Sequence, residues 1–382
     1  MFENIVKFIK QLYDNSEIIP LHEPRFIGNE KEYLNQCIES TYVSYLGKFV
    51  GRFENMIQEF TGAKHAVATA NGTLALHIAL LLAGVKPIDE VLTQALSFVA
   101  TANAISYCGA IPVFLDSEKQ TIGMSPENLE QFLENETIMK NNGYCYNKHT
   151  KRKISACVPM HVFGHPVKID KILAICNKYN IYLVEDAAES LGSFYDDRHT
   201  GTFGKIGILS FNGNKIVTTG GGGMIITNDE EVANKARHIT TTAKVPHKWE
   251  FIHDEIGYNY RMPNVNAAIG CAQMENLPVF LENKRELACI YKKFFEGIGV
   301  EFFSENDRCV SNYWLNAIIL KDKVQHDKFL EYSHEHGVMV RPAWTLTNKL
   351  PMYQYCQHTN LENAQWLEDR IINIPSSVRL NA

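Results

Sequence analysis

Short apolar runs alternate with amphipathic stretches between about residues 62 and 226. The short runs predict strands, and the stretches with apolar residues at three- and four-residue steps predict helices. The predicted strands are residues 65–68, 91–94, 111–116, 155–160, 181–184, 206–211 and 223–227. The predicted helices are residues 73–83, 98–108 and 169–179. This alternation predicts an α/β fold with a largely parallel sheet, whose ligands bind outside the carboxyl ends of the strands.

The two ends of the chain differ from this middle part. Residues 2–13 form an apolar stripe, which predicts an amphipathic helix that docks onto the body or a second subunit; a membrane-surface helix is the alternative. After residue 257 the pattern predicts helices at 265–277, 281–297 and 326–336, with strands at 300–303 and 314–320. We therefore expect an N-terminal helix (1–18), a large domain (19–257) and a small α/β domain (258–382).

Residues 134–153 interrupt the alternation with a polar, turn-rich segment, which we interpret as a surface loop or a lid. A cluster of four basic residues at the end of this segment is most simply a solvated face, with a nucleotide contact as the alternative. They are Lys148, Lys151, Arg152 and Lys153.

Charge and cysteine content narrow the class of protein. The 382 residues include 37 basic and 43 acidic side chains, a formal net charge of -6, so neither nucleic acid nor an anionic membrane is an expected partner. Nine irregularly spaced cysteines without a CxxC pair argue against a metal site and suit a reducing cytoplasm. The N-terminus lacks the features of a signal peptide. We expect a cytoplasmic protein.

The segment ATANGTLALHIALLLAG predicts a strand, a turn at Gly72 and Thr73, and a helix. The first amides of a helix lack internal partners and lie at the positive end of its dipole, so they can bind a phosphate. Taken alone the motif is weak, because α/β proteins have many such turns.

Two further motifs end predicted strands. Asp186 follows the buried strand in NIYLVEDAAESLGS, where its carboxylate either enters the ligand crevice or caps the next helical turn. Lys215 lies between a buried strand and four glycines in SFNGNKIVTTGGGG, a poor position for a solvated lysine. Together the three motifs offer an amine, a carboxylate and a phosphate cup, which is the set that pyridoxal 5'-phosphate (PLP) requires.

On these residues the chain resembles the DegT/StrS-type sugar aminotransferases, within the fold-type I PLP enzymes. The motifs that carry the resemblance are NGTLALHIAL, SFVATANAI, VEDAAESLGS, SFNGNK, TTGGGGMI and GYNYRMPNVNAAIG. IPLHEPRFIGNE and VRPAWTLTNKLPMY are most similar to aminotransferases of the legionaminic acid pathway. The resemblance implies a large PLP-binding sheet domain and a smaller C-terminal domain.

The resemblance also implies roles in holding the cofactor. Lys215 is expected to be the Schiff-base lysine and proton shuttle, and Asp186 to pair with the pyridine nitrogen. Phe98 is expected to stack on the ring, with a core position as the alternative. Ser210 and the amides of Gly72 and Thr73 are expected to bind the phosphate.

Other positions either allow two interpretations or depart from the residue that is common in the family. Asn259 matches an asparagine that reaches the phosphate from a second subunit, although a turn role is also open. Glu189, near the ring hydroxyl, often corresponds to glutamine in the family, and Gly221 often to glutamate. His161 is expected near the sugar or cofactor, with a satisfied core histidine as an equal alternative.

The candidate substrate residues form a separate set, with Trp344 equally compatible with the core. They are His22, Arg25, His161, Arg341 and Trp344. The implied reaction moves an amino group from L-glutamate to C4 of a UDP- or GDP-linked 4-keto-6-deoxy-N-acetylhexosamine, by ping-pong kinetics in a homodimer with shared sites.

Alternatives to this reaction are amination at C3, a dehydratase and a non-catalytic PLP- or nucleotide-binding regulator. Lys215 argues against the dehydratases, in which histidine replaces the lysine. A kinase or dehydrogenase is disfavoured because TTGGGGMI matches neither phosphate-loop motif.

Overall fold

A computed structural model describes residues 1–379 of the chain. Its α-helices are α1 (Phe2–Leu12), α2 (Glu30–Ser40), α3 (Lys48–Thr61), α4 (Gly72–Leu82), α5 (Val99–Tyr107), α6 (Pro126–Glu136), α7 (Ile169–Lys178), α8 (Glu230–Thr240), α9 (Asn264–Ile298), α10 (Lys323–Glu335) and α11 (Glu362–Glu368). Its strands are β1 (His65–Thr69), β2 (Glu90–Gln94), β3 (Ile111–Leu115), β4 (Thr137–Met139), β5 (Cys145–Asn147), β6 (Ile154–Val158), β7 (Tyr182–Asp186), β8 (Phe194–Tyr195), β9 (Arg198–His199), β10 (Ile206–Ser210), β11 (Gly223–Thr227), β12 (Glu301–Phe302), β13 (Cys309–Val310), β14 (Asn316–Ile319), β15 (Arg341–Pro342) and β16 (Ile371–Ile374).

The main sheet has seven strands in the order β1-β11-β10-β7-β6-β2-β3. The strands β10, β7, β6, β2 and β3 are joined by parallel pairings, and β11 runs antiparallel to both of its neighbours. All seven strands were predicted from the apolar pattern, with bounds that differ by two residues or fewer. Because the strands are buried on both faces, they form continuous apolar runs, as expected for a covered parallel sheet.

A second, four-stranded antiparallel sheet has the order β12-β14-β16-β15. Helix α1 packs beside α10, and Ile5 and Ile9 are fully buried in the same core as Phe329. The prediction that the N-terminal stripe docks onto the body is confirmed, while the division at residues 257 and 258 stays a prediction. Within residues 1–379, no helix combines the length and the apolar character that a bilayer crossing requires.

Helix α9 corrects one sequence expectation. Residues 265–277 and 281–297 were predicted as two helices, but Asn264–Ile298 is one helix of 35 residues that contains Pro278. Proline inside a helix costs about 3 kcal/mol, because it removes one hydrogen bond and crowds the preceding turn. Burial of Leu277 and Phe280 on either side of Pro278 opposes that cost.

The segment 134–153 forms an anchored hairpin, in which β4 pairs with β5, and the lid interpretation is wrong. Asn147 Nδ2 donates to Glu90 Oε2 at 2.8 Å, and Thr150 Oγ1 donates to Glu90 Oε1 at 2.7 Å. Glu90 begins β2, so the hairpin lies at the amino end of the sheet. Arg152 is 3.7 Å from the Glu90 carboxylate, so this basic residue belongs to the anchored surface, and a nucleotide contact of the cluster stays a prediction.

Candidate active site

A cavity of about 390 Å³ opens at the carboxyl ends of β1, β7 and β10. Parallel strands place their carboxyl ends at one edge of a sheet, which is where α/β folds bind ligands. The three sequence motifs therefore converge in space. The lining residues are Asn71, Gly72, Thr73, Leu76, Phe98, Ala100, Met160, Asp186, Ala188, Glu189, Ser210, Asn212, Asn214, Lys215, Trp314 and Trp344.

Lys215 reaches this cavity from the loop between β10 and β11. Its Nζ lies 3.1 Å from Glu189 Oε1 and 3.8 Å from the centroid of the Trp314 ring. The Trp314 Nε1–H donates to the Asn214 carbonyl at 2.7 Å, which fixes the indole beside the lysine loop. The amine is thus held by a carboxylate on one side and an aromatic face on the other.

Asp186 ends β7 and is 2% exposed. Thr101 Oγ1 donates to its Oδ2 at 2.7 Å, and the Ala188 amide donates to its Oδ1 at 3.2 Å. Burial raises the pKa of Asp186, while the Thr101 hydrogen bond and the Lys215 charge act in the opposite direction. Asp186 forms no ion pair with any residue from 1 to 379, so a cationic ring nitrogen would stabilise its charged form.

Gly72, Thr73 and Ser210 lie together at the start of α4. Asn71 caps this helix through its side chain, which accepts from the Leu74 amide at 2.9 Å and leaves the first two amides without partners inside the helix. A Cβ on Gly72 would lie 2.9 Å from the Ser210 Cβ, so glycine is needed for this close approach. The arrangement is a cup of donors suited to a phosphate.

Glu189 and Phe98 complete the cavity. The Phe163 amide donates to Glu189 Oε2 at 2.9 Å, and burial raises the pKa of Glu189 against the influence of Lys215. Phe98 is 48% exposed and its ring lies 6.2 Å from the Trp344 ring, centroid to centroid. The alternative of a core position for Phe98 is therefore wrong, since its ring faces the cavity.

A second cavity, of about 620 Å³, adjoins the first, and the two share Asn214, Trp314 and Trp344. His22 and Arg341, two of the candidate substrate residues, line the second cavity, and their role in binding substrate stays a prediction. Trp344 lies at the junction, with its ring 5.0 Å from the Phe163 ring. The combined space is larger than PLP alone requires.

Three predicted residues lie elsewhere in this chain. His161 is fully buried behind the cavity, where Nε2 is 3.2 Å from Glu185 Oε2 and Nδ1 accepts from the Val167 amide. Both ring nitrogens are thus occupied, and the satisfied core histidine is the correct interpretation. Arg25 lines a separate cavity of about 530 Å³ and donates to the Val378 carbonyl at 2.9 Å.

Asn259 is exposed and bridges Thr241 on the surface, away from the cavity of its own chain. Its role across a subunit interface stays a prediction.

Sequence reasoning missed two residues of the site. Thr101 lies in the first turn of α5, inside the quoted motif SFVATANAI, so a polar residue one turn after Phe98 was an available signal. Trp314 comes from a segment about 100 residues after Lys215, and the sequence carried no signal that the two would meet.

PLP fits the donors that this cavity offers. The fit rests on the buried carboxylate of Asp186, which forms no ion pair within residues 1–379, the glycine cup at Gly72 and the mostly buried amine of Lys215. These are the partners that the ring nitrogen, the phosphate and the aldehyde of PLP require.

Comparison with known proteins agrees with this chemistry. GDP-perosamine synthase of Escherichia coli O157:H7 is 37% identical over 360 residues, which cover 94% of this chain and 93% of that protein. EpsN of Bacillus subtilis (strain 168), whose name groups it with pyridoxal phosphate-dependent aminotransferases, is 40% identical over 336 residues, or 88% of this chain and 84% of EpsN. The crystal structure of aminotransferase TlmJ from Streptoalloteichus hindustanus superposes with a TM-score of 0.85 at 26% identity, covering 94% and 93% of the two chains.

The family model of the DegT/DnrJ/EryC1/StrS aminotransferases matches residues 24–382. The match includes every cavity residue from Asn71 to Trp344. The chain therefore belongs to the DegT/DnrJ/EryC1/StrS aminotransferase family and is a PLP-dependent aminotransferase.

Proposed function

We propose that this enzyme transfers the amino group of L-glutamate to C4 of a nucleotide-linked 4-keto-6-deoxy-N-acetylhexosamine. The product would be a 4-amino-4,6-dideoxy sugar nucleotide for a surface glycan or a nonulosonic acid such as legionaminic acid. Support for a nucleotide sugar comes from the E. coli relative, which is named for a GDP-linked product. Support for the legionaminic pathway rests on the motifs IPLHEPRFIGNE and VRPAWTLTNKLPMY.

The observation that carries the proposal is that the two cavities adjoin and share three lining residues. The smaller one holds Lys215 and Asp186, and the larger one extends past Trp344 to Arg341. A nucleotide sugar needs its keto carbon beside the lysine and room for a diphosphate and a base farther out. Indole rings are suitable partners for the base of the nucleotide.

The titratable side chains of the smaller cavity have different roles in the proposed reaction. Bound PLP supplies an electron sink and carries the amino group between the two substrates. Lys215 is the flexible amine in the cavity, so we assign it the movement of the proton at the reacting carbon. Asp186 holds the proton on the ring nitrogen, and Glu189 positions the Lys215 amine through the 3.1 Å contact.

An assay of the PLP-loaded enzyme with a panel of nucleotide keto sugars tests the proposal. The panel contains UDP- and GDP-linked 4-keto and 3-keto sugars, each with L-glutamate, and mass spectrometry follows the change from ketone to amine. We expect amination of a 4-keto-6-deoxy-N-acetyl sugar. Amination at C3 alone, or transfer to none of the panel, would contradict the assignment.

We also propose that the enzyme is a homodimer in which Asn259 contributes to the partner's phosphate site. Large apolar side chains are exposed shortly before Asn259, including Trp249 at 73%, Phe251 at 78% and Ile256 at 83%. Exposed apolar patches of this kind mark interfaces between chains. A second copy of the chain would cover them and bring Asn259 into use.

Mixing two defective variants tests the shared site. In a heterodimer of Lys215→Ala with Asn259→Ala, one site combines an intact Lys215 with an intact Asn259 from the other chain. We expect the mixture to exceed the summed activities of the separate proteins after subunit exchange. Activity that stays at that sum, or a monomer in sedimentation, would exclude the shared site.

A further inference from the structure

The imidazole of His22 lies in the wall of the 620 Å³ cavity without a hydrogen-bond partner. Both ring nitrogens are buried, and neither makes a well-formed hydrogen bond within residues 1–379, although the Asn214 main chain lies close enough to act on the ring. The segment is held from outside the cavity, since the Ser376 amide donates to the Leu21 carbonyl at 2.7 Å and the Glu23 amide to Ser377 Oγ at 3.0 Å. A fixed ring with at least one unused nitrogen is suited to a ligand.

Asn373 and Arg341 line the same cavity from the second sheet. The two residues are direct partners across β15 and β16, so their side chains project from the same face of the sheet. Asn373 is 2% exposed, and its Oδ1 has no partner within residues 1–379. Arg341 contacts His334 and the Val340 carbonyl and forms no ion pair with the described residues.

The side chains that line this cavity bear no negative charge. Among residues 1–379, the lining contains no aspartate and no glutamate. Behind the wall, fully buried Lys284 donates to the Trp314 carbonyl at 3.1 Å and the Ser376 carbonyl at 2.6 Å. Burial, followed by the charges of Lys284 and Lys215, lowers the pKa of His22 well below its usual value. An anion in this cavity would pair with the Arg341 guanidinium and meet no opposing carboxylate in the lining.

We propose that His22, Asn373 and Arg341 form the subsite that binds a carboxylate of the amino donor. This inference rests on the proposed aminotransferase reaction and adds the place of the donor. The geometry favours a carboxylate over the sugar's diphosphate, because His22 lies against the Asn214 main chain, directly before Lys215. An amino acid carries its carboxylate next to its amine, whereas a sugar ring separates a diphosphate from C4.

The glutamate half-reaction tests this assignment without any sugar. We would measure loss of the PLP absorbance band at increasing L-glutamate, and inhibition by glutarate, an inert dicarboxylate. In His22→Gln we expect KM for glutamate and the inhibition constant of glutarate to rise together by about tenfold, with the limiting rate nearly unchanged. Asn373→Leu, which keeps a similar volume, should give the same pattern.

Glu23→Gln is the matched control. Glu23 is the next residue after His22, but its side chain lines the separate cavity that contains Arg25. It should leave both constants within about twofold. If His22→Gln instead raises KM for the nucleotide sugar and inhibition by UDP or GDP, the subsite holds a diphosphate and the carboxylate assignment is wrong. If neither substrate is affected, the cavity holds no anion. Because glutamate turnover is measured alone, a wrong sugar assignment does not alter this result.

Discussion

The two walls of the active-site space are built differently. The strand-end wall, formed by Gly72, Asp186, Ser210 and Lys215, comes from residues that follow the main-sheet strands or end them. The opposite wall combines His22 near the N-terminus with Trp314, Trp344 and Arg341 from the last 70 residues. The first wall carries a buried carboxylate and an amine, and the second carries a guanidinium, an imidazole and two indole rings.

This difference separates the chemistry that is common to PLP enzymes from the selection of substrate. Strand ends of a parallel sheet are rigid and meet at one edge, so they fix the amine, the carboxylate and the phosphate cup. The opposite wall depends on how the N-terminal segment and the second sheet pack onto the first. Variants of the first wall should stop the reaction, and variants of the second should change which substrate is used.

The largest effect is expected for Lys215→Ala. Loss of the amine removes proton transfer at the reacting carbon, which contributes about 10²–10⁴-fold to the rate. Single-turnover measurement with glutamate should show a loss of this size, with partial recovery on adding methylamine. Lys205→Ala is the control, because Lys205 forms a surface pair with Asp229. A Lys215→Ala enzyme that retains normal turnover would contradict the catalytic role assigned to the strand-end wall.

Trp314→Leu should have an intermediate effect, because Trp314 is the point where the two walls meet. The substitution removes the aromatic face 3.8 Å from the Lys215 amine and should slow the glutamate half-reaction by about tenfold. Trp314→Phe keeps an aromatic face, although it loses the second ring and the N–H that bonds to Asn214, so it should lie nearer to the wild type. Equal rates for the two variants would show that the ring does not act on the lysine.

Lys284→Met tests the buried charge behind the second wall through stability. Burial lowers the pKa of Lys284 from 10.5 in the unfolded chain to about 7 in the folded one. Between these values the unfolded chain holds a proton that the folded chain lacks, so stability rises with pH, and Lys284→Met loses this rise.

Urea unfolding at about pH 7.5 and about pH 9.5 measures the difference in pH slope between the two proteins. Lys293→Met, on the exposed side of the same helix, should behave as the wild type. Parallel pH dependences for wild type and Lys284→Met would mean that Lys284 stays charged when buried.

The smallest effect is expected for Thr101→Val, which keeps the shape and removes the 2.7 Å hydrogen bond to Asp186. That bond lowers the pKa of Asp186 against the effect of burial, so its loss raises the pKa. The acidic limb of kcat/KM against pH should therefore move to higher pH. Thr93→Val removes another buried hydroxyl, bonded to the Val158 carbonyl, and should leave the profile in place.

The strand-end wall could be predicted from sequence because each of its residues follows an apolar run within a few positions. Asp186 and Lys215 needed only the rule that such ends converge. Trp314 could not be predicted, because its position depends on packing between distant segments. The expectation that His161 approaches the sugar or cofactor was wrong for a related reason. His161 follows β6, as a site residue would, but its ring contacts Glu185 in the core.

Helix α9 also shows that packing between distant segments limits what can be predicted from the local sequence. Pro278 is a sound local signal for a helix end, yet burial on both sides of it keeps the helix continuous. Phe98 shows the converse, since an aromatic residue at a helix start is usually core, and here it is 48% exposed at the cavity.

Borohydride reduction of the PLP-loaded enzyme, followed by peptide mapping, tests the central assignment most directly. The account predicts that the yellow absorbance is lost and that a single peptide, the one containing Lys215, carries the reduced cofactor. A label on Lys284 or another lysine, or no label at all, would contradict it.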